Sequence, residues 1–113
     1  LTQPQAISGA MVMVATEFGR TAAANGTGGT DHGTGAVAML AGGAVQGGRV
    51  IPDWPGLAAA NLFEGRDLRP TISLDTLIAQ VSAETFRLDP ERTRRTLFPQ
   101  AAGDAPLPRL VRA

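Results

Sequence analysis

Ten of the fourteen glycines in this 113-residue chain lie between positions 19 and 48, and this clustering constrains the fold more than any other feature. Two interpretations are open: a flexible linker, or a shaped loop whose backbone needs positive φ or close approach to a neighbour. The segment divides into a loop, an apolar run and a turn, which is not typical of a linker. We therefore predict a structured, glycine-rich loop here.

A continuous apolar run at residues 10–15 precedes this loop. Its length and valine content are typical of a strand buried on both faces, as in a parallel sheet covered by helices. Residues 16–20 follow at the strand end, where open α/β sheets place their ligand sites. A second buried strand is predicted at residues 35–40, and Gly47-Gly48 predicts a tight hairpin turn.

Residues 73–88 show helical periodicity, with Ser73 placed to cap the first turn. The apolar residues expected to share one face are Leu74, Leu77, Ile78, Val81 and Leu88. A second, short helix is predicted from Pro90, with Asp89 as its cap. Residues 99–113 contain three of the eight prolines and predict an extended, partly disordered C-terminal tail.

Composition excludes several classes of function. Ten arginines balance ten acidic residues, so the neutral chain lacks the electrostatic signature of a nucleic-acid or anionic-lipid partner. The absence of cysteine excludes disulfides, thiolate metal sites and cysteine catalysis. No apolar run has the length of a membrane span. The chain opens at Leu1 rather than Met, so we expect its natural N-terminus, and any export signal, to lie upstream.

The chain contains a single histidine, His32, and no nucleophile elbow of the G-x-S-x-G kind, so we predict no catalytic triad within it. Asp31-His32 lies on a glycine-flanked loop, where both side chains are able to turn toward one cation. Zinc, manganese or iron accept such ligands, and Glu17 at the first strand end is the third candidate. The alternative is that Asp31 caps a turn and His32 is a hydrogen-bonded polar residue.

Longer motifs resemble one bacterial family over nearly the whole chain. They are Val12-Met-Val-Ala-Thr-Glu-Phe-Gly-Arg-Thr21, Asn25-Gly-Thr-Gly-Gly-Thr-Asp-His32, Met39-Leu-Ala-Gly-Gly43, Asp53-Trp-Pro-Gly-Leu57, Glu64-Gly-Arg-Asp-Leu68, the helix from Ser73, and Leu97-Phe-Pro99. The family is the sulfatase-like domain-of-unknown-function family numbered fifteen hundred and one, assigned to the alkaline phosphatase superfamily. The resemblance implies a three-layer α/β/α sandwich. Residues 1–98 are then the C-terminal portion of a single α/β domain, and 99–113 its tail.

The resemblance also implies a role for the candidate ligands. Superfamily enzymes hold two metal ions and have a strand ending Thr-Ala-Asp-His-Gly, then a loop with Gly-Thr-Asp-His. Glu17 takes the place of the strand-end Asp ligand here, and His32 that of the late His ligand. Phe18 stands where the enzymes have a ligand His, which implies a single metal or a remodelled site. The nucleophile is implied to lie in the missing N-terminal half of the same domain.

The function implied is metal-dependent hydrolysis of a small anionic phosphate or sulfate ester by the whole protein, with this segment inactive alone. A divalent metal such as zinc or manganese is the implied cofactor. Arg20 is the candidate substrate-binding residue, through bidentate contacts to anionic oxygens; a structural ion pair with an acid such as Glu17 is the alternative. Family resemblance also implies a periplasmic or secreted location. The competing hypothesis is a non-catalytic exported binding or assembly protein, which Phe18 favours.

Overall fold

The computed structural model describes residues 10–51, 54–100 and 107–112. They belong to two compact units. Unit 1 contains the described residues of 10–13, 40–51, 72–100 and 107–112, and unit 2 those of 14–39 and 54–71. The predicted lead-in at residues 1–9 and the central part of the predicted tail, 101–106, lie outside the described residues.

Four short strands form two small sheets. Strand β1 is Met11–Val14, β2 is Gly19–Arg20, β3 is His32–Gly33 and β4 is Met39–Gly42. Strand β1 pairs with β4, and β2 pairs with β3. The second predicted strand is therefore displaced: pairing begins at Met39 and not at residue 35, because the backbone around Gly35 packs against Leu68 instead.

The prediction that the first strand is buried on both faces is wrong for β1. Its residues alternate between half-buried and exposed, with Val12 58% and Val14 48% exposed. Within the described ranges β1 has one strand neighbour, β4, and only its Met11 face packs on a core. Alternation of this kind is the pattern of a strand covered on one side.

The hairpin predicted at Gly47-Gly48 is also absent from this part of the chain. Val45 forms an antiparallel bridge with Val111, and the Gln46 amide donates to the Leu110 carbonyl at 2.8 Å. The residues before the glycine pair thus bond to the end of the chain rather than to residues 49–51. A turn signal gives no information about such a distant partner.

Both predicted helices are confirmed, together with their caps. Helix α1 is Leu74–Phe86, and the Ser73 hydroxyl accepts a hydrogen bond from the Asp75 amide at 3.2 Å. Helix α2 is Pro90–Leu97, and the Asp89 carboxylate accepts from the Arg92 amide at 2.8 Å. No helix within the described ranges is long and apolar enough to cross a membrane.

The core of unit 1 forms around Val81, Leu110 and Val111. The half-buried apolar residues packed against it are Met11, Leu40, Ala44, Ile51, Leu77 and Leu107. Of the predicted apolar face of α1, Val81 is buried and Leu77 packs half-buried against the core. The other buried residues of the helix are smaller than predicted, namely Thr76, Ala79 and Ala83. Leu74 and Leu88 are exposed, Leu88 because the helix ends before it.

Residues 107–112, which lie in the predicted tail, pack closely against α1 and include the bridge residue Val111. The Glu84 carboxylate accepts hydrogen bonds from the Leu110 and Val111 amides, each at 2.8 Å. The Gln80 amide oxygen accepts from the Leu107 amide at 3.0 Å. Two polar side chains one helical turn apart therefore fix the segment that completes the core.

Candidate functional site

The candidate site lies in unit 2, on the antiparallel β2–β3 ladder. Gly19 pairs with Gly33, and Arg20 pairs with His32. Since successive strand residues point to opposite faces, the glycines share one face, and Arg20 and His32 share the other. A Cβ added at Gly19 would collide with the Gly35 carbonyl, and one at Gly33 with the Asp67 carboxylate. The glycine face thus packs against the Gly35 backbone and the Asp67 side chain, and the Arg20–His32 face is exposed.

Asp67 supports this ladder and was not singled out by sequence reasoning. It is 4% exposed, and its Oδ2 accepts hydrogen bonds from the Thr34 and Gly35 amides, the latter at 3.4 Å. A tight turn holds it: the Phe63 amide donates to the Asp67 carbonyl at 2.7 Å, and Gly65 in that turn has φ 74°. The only sequence signal was the Glu-Gly-Arg-Asp-Leu motif, noted as family sequence without a role.

The loop between β2 and β3 is shaped by internal hydrogen bonds, in agreement with the predicted structured loop. The Asn25 Oδ1 accepts from the Thr27 and Gly29 amides, both at 3.0 Å, as in an Asx turn. Gly28 has φ 83°, a conformation that favours glycine. Buried Thr21 exchanges bonds with Asp31: its amide donates to the Asp31 carbonyl, and its hydroxyl accepts from the Asp31 amide.

Arg20 stabilises the same loop through two hydrogen bonds to Thr30. Its Nε donates to the Thr30 hydroxyl at 3.1 Å, and its terminal nitrogen donates to the Thr30 carbonyl at 2.8 Å. These bonds go to Thr30 and not to Glu17, the ion-pair partner considered from the sequence. The guanidinium is exposed and fixed in direction. A role in contacting anionic oxygens stays a prediction.

Asp31 is engaged by two neighbours through its carboxylate. Its Oδ1 accepts from the Asn25 side-chain amide at 3.1 Å, and its Oδ2 lies 3.7 Å from the Arg66 guanidinium. The Asp31 and Arg66 side chains are both about half exposed, so this ion pair contributes little to stability. The pair places the positive charge of Arg66 beside a candidate metal ligand. This charge repels any cation that binds the Asp31 carboxylate.

The His32 imidazole lies over the Phe18 ring, with centroids 3.9 Å apart and planes at 22°. It is exposed, and neither ring nitrogen makes a hydrogen bond with any described residue. An imidazole nitrogen without another partner can serve as a metal ligand.

Glu17 is exposed and lies three residues beyond the end of β1, and its carboxylate has no hydrogen bond or ion pair within the described ranges. No group of three or more His, Asp or Glu side chains able to hold a metal ion occurs in that part of the chain. Glu17, Asp31 and His32 therefore do not form a three-ligand site by themselves. Their assignment as ligands stays a prediction that requires further donors.

Comparison with known protein families gives a match over most of the chain. A family model described as "Protein of unknown function (DUF1501)" matches residues 1–97. That range includes the β2–β3 ladder, its loop, Asp67 and both helices. No curated protein matches the chain. No solved structure matches it either.

Proposed function

The chain belongs to the DUF1501 family, and on that premise we propose that it is the C-terminal segment of a metal-dependent hydrolase of phosphate or sulfate esters. It contributes metal ligands and no nucleophile. The ligands proposed are His32 and Asp31, with Glu17 as the third, and further donors come from outside these 113 residues. The proposed fold of the whole domain is the three-layer α/β/α sandwich of alkaline phosphatase type.

One observation carries this proposal: the exposed His32 imidazole has both nitrogens unpaired within the described ranges, on a ladder whose backbone is fixed on the opposite face. Imidazole nitrogen is the commonest protein ligand for transition metals. A ligand on a braced element is held closer to its binding geometry than one on a mobile loop. The neighbouring Asp31 carboxylate adds an oxygen donor suited to zinc or manganese.

The residues present fit only part of a metal shell, since His32 and Asp31 are adjacent in the chain and no three such side chains of the described residues form a metal-binding group. A divalent cation, when bound, polarises an ester oxygen and lowers the pKa of a nucleophile. The chain's own contribution is to hold His32 and Asp31 through the loop bonds of Thr21 and Asn25. Arg20 is held by its hydrogen bonds to Thr30. Its positive charge lies on the same face of the ladder as His32.

Substitution His32→Ala tests the proposal. In full-length protein incubated with zinc or manganese and then desalted, elemental analysis should find at least one metal equivalent, and His32→Ala should lose it. Glu64→Gln, which changes an exposed carboxylate in unit 2, is the control and should keep the metal. Wild-type protein that retains no metal, and releases no phosphate or sulfate from a broad ester panel, would contradict the proposal.

A second candidate function is a non-catalytic exported binding or assembly protein. Two contacts favour it: Phe18 occupies one face of the His32 ring, and Arg66 with Asn25 already engages the Asp31 carboxylate. This alternative predicts that the protein folds without metal and that His32→Ala changes neither metal content nor thermal stability. The elemental analysis therefore separates the two functions.

A further inference from the structure

Asp67 is a buried carboxylate that neither the sequence motifs nor the proposed ligand set accounts for. Its Oδ2 accepts the Thr34 and Gly35 amides, while its buried Oδ1 has no hydrogen-bond partner in the described part of the chain. A buried carboxylate is unfavourable unless hydrogen bonds and charges compensate it. Its two bonds are both to backbone amides directly following the β3 strand.

Three consecutive residues after His32 touch this carboxylate. Gly33 is so close that an added Cβ would lie 2.5 Å from the Asp67 Oδ1, and Thr34 and Gly35 donate to Oδ2. The carboxylate thus fixes the backbone from the residue adjacent to the imidazole onward. Since side-chain direction follows backbone position in a strand, Asp67 sets where the His32 ring stands.

The preceding residue, Arg66, fixes the other end of the same ladder. Its carbonyl accepts the amides of Ala22 and Ala23, at 2.8 and 3.1 Å, just after β2. Its guanidinium lies 3.7 Å from the Asp31 carboxylate. The dipeptide Arg66-Asp67 therefore connects the segments that follow both strands, and it acts on the two adjacent candidate ligands together.

We infer that Asp67 is a positioning residue for the His32–Asp31 pair, an inference that rests on the proposed function. It touches no metal or substrate itself; it holds the backbone from which His32 projects over Phe18. Removal of a residue that orients a metal ligand without touching the metal typically lowers metal affinity by about 10-fold to 100-fold. Asp67 therefore matters for binding, and not only for folding.

The His32 imidazole itself is the reporter. In the full-length protein, selective ¹³C labelling of histidine makes imidazole protons observable, and the His32 signals are those that disappear in His32→Ala; the stacked Phe18 ring shifts them upfield. Asp67→Asn and Asp67→Ala should reduce that upfield shift and weaken manganese binding, measured by titration with the metal alone, by about 10-fold or more. Glu64→Gln, an exposed carboxylate-to-amide change in the same turn, should alter neither.

The outcomes separate this inference from the function on which it rests. If wild-type protein binds neither manganese nor zinc, the proposed function fails, and the imidazole shift alone decides the role of Asp67. If Asp67→Ala does not fold, the nearly isosteric Asp67→Asn decides it. Folded Asp67 variants with wild-type imidazole shifts, and with wild-type manganese affinity where there is any, would overturn the inference.

Discussion

Glu84→Ala is expected to lower the free energy of unfolding of unit 1 by about 2–4 kcal/mol, since it leaves two amides of a buried segment without an acceptor. The amides are those of Leu110 and Val111, whose side chains are 4% and 5% exposed. Detachment of this segment also uncovers Val81. Denaturant unfolding, with amide hydrogen exchange at residues 110 and 111, measures both effects.

Two further variants show whether the effect comes from these bonds. Glu84→Gln keeps an acceptor oxygen and should lose less than half as much stability. Glu91→Gln changes an exposed glutamate of α2, whose carboxyl pKa is lowered mainly by the hydrogen bond from Arg94, and should change exchange at residues 110 and 111 very little. Equal protection of those two amides in wild type and Glu84→Ala would mean that the segment is held by its apolar side chains alone.

Gly35→Ala is expected to destabilise unit 2 by about 1–3 kcal/mol, because the added methyl group overpacks a closed backbone contact. An added Cβ would overlap the Leu68 carbonyl oxygen and press on the Leu68 Cβ. Gly35 is buried and its amide bonds to Asp67, so relief requires the backbone to move away from that carboxylate. Hydrogen exchange at Thr34 and at residue 35 should accelerate.

Gly26→Ala is the matched control for that substitution. Gly26 lies in the same glycine-rich loop, has no heavy atom within 4 Å of an added Cβ, and does not adopt a positive φ. Its replacement should leave exchange at Thr34 unchanged, and stability unchanged or slightly higher, since alanine restricts the unfolded chain. Similar destabilisation by both variants would show that the loop tolerates no side chain anywhere, contrary to the contacts described.

The parts of the fold that the sequence predicted are those determined locally. The two helices and their caps follow from Ser73 and Asp89 placed directly before helical periodicity, and each cap bonds within three residues. The strand pairings were not predictable in this way. Val45 pairs with Val111, sixty-six positions away, so the turn signal at Gly47-Gly48 predicted the wrong partner.

The candidate site, like the fold, was predictable only where neighbouring residues in the sequence determine it. The sequence identified Asp31-His32 by residue type and loop context, and the structure adds that His32 is exposed and free of hydrogen bonds within the described ranges. The sequence did not identify Asp67, because an acidic residue after a turn is usually exposed to solvent and the sequence does not indicate its distant partners. Those partners, Thr34 and Gly35, lie more than thirty residues earlier in the chain.

The proposed binding of a divalent cation by His32 and Asp31 is tested by paramagnetic broadening. Manganese is added in less than equimolar amount to full-length protein while the imidazole resonances of His32 are recorded. These resonances should broaden selectively, together with those of the Phe18 ring stacked on them, and Asp31→Asn should weaken the effect. Sharp imidazole resonances at one equivalent of manganese would contradict the claim.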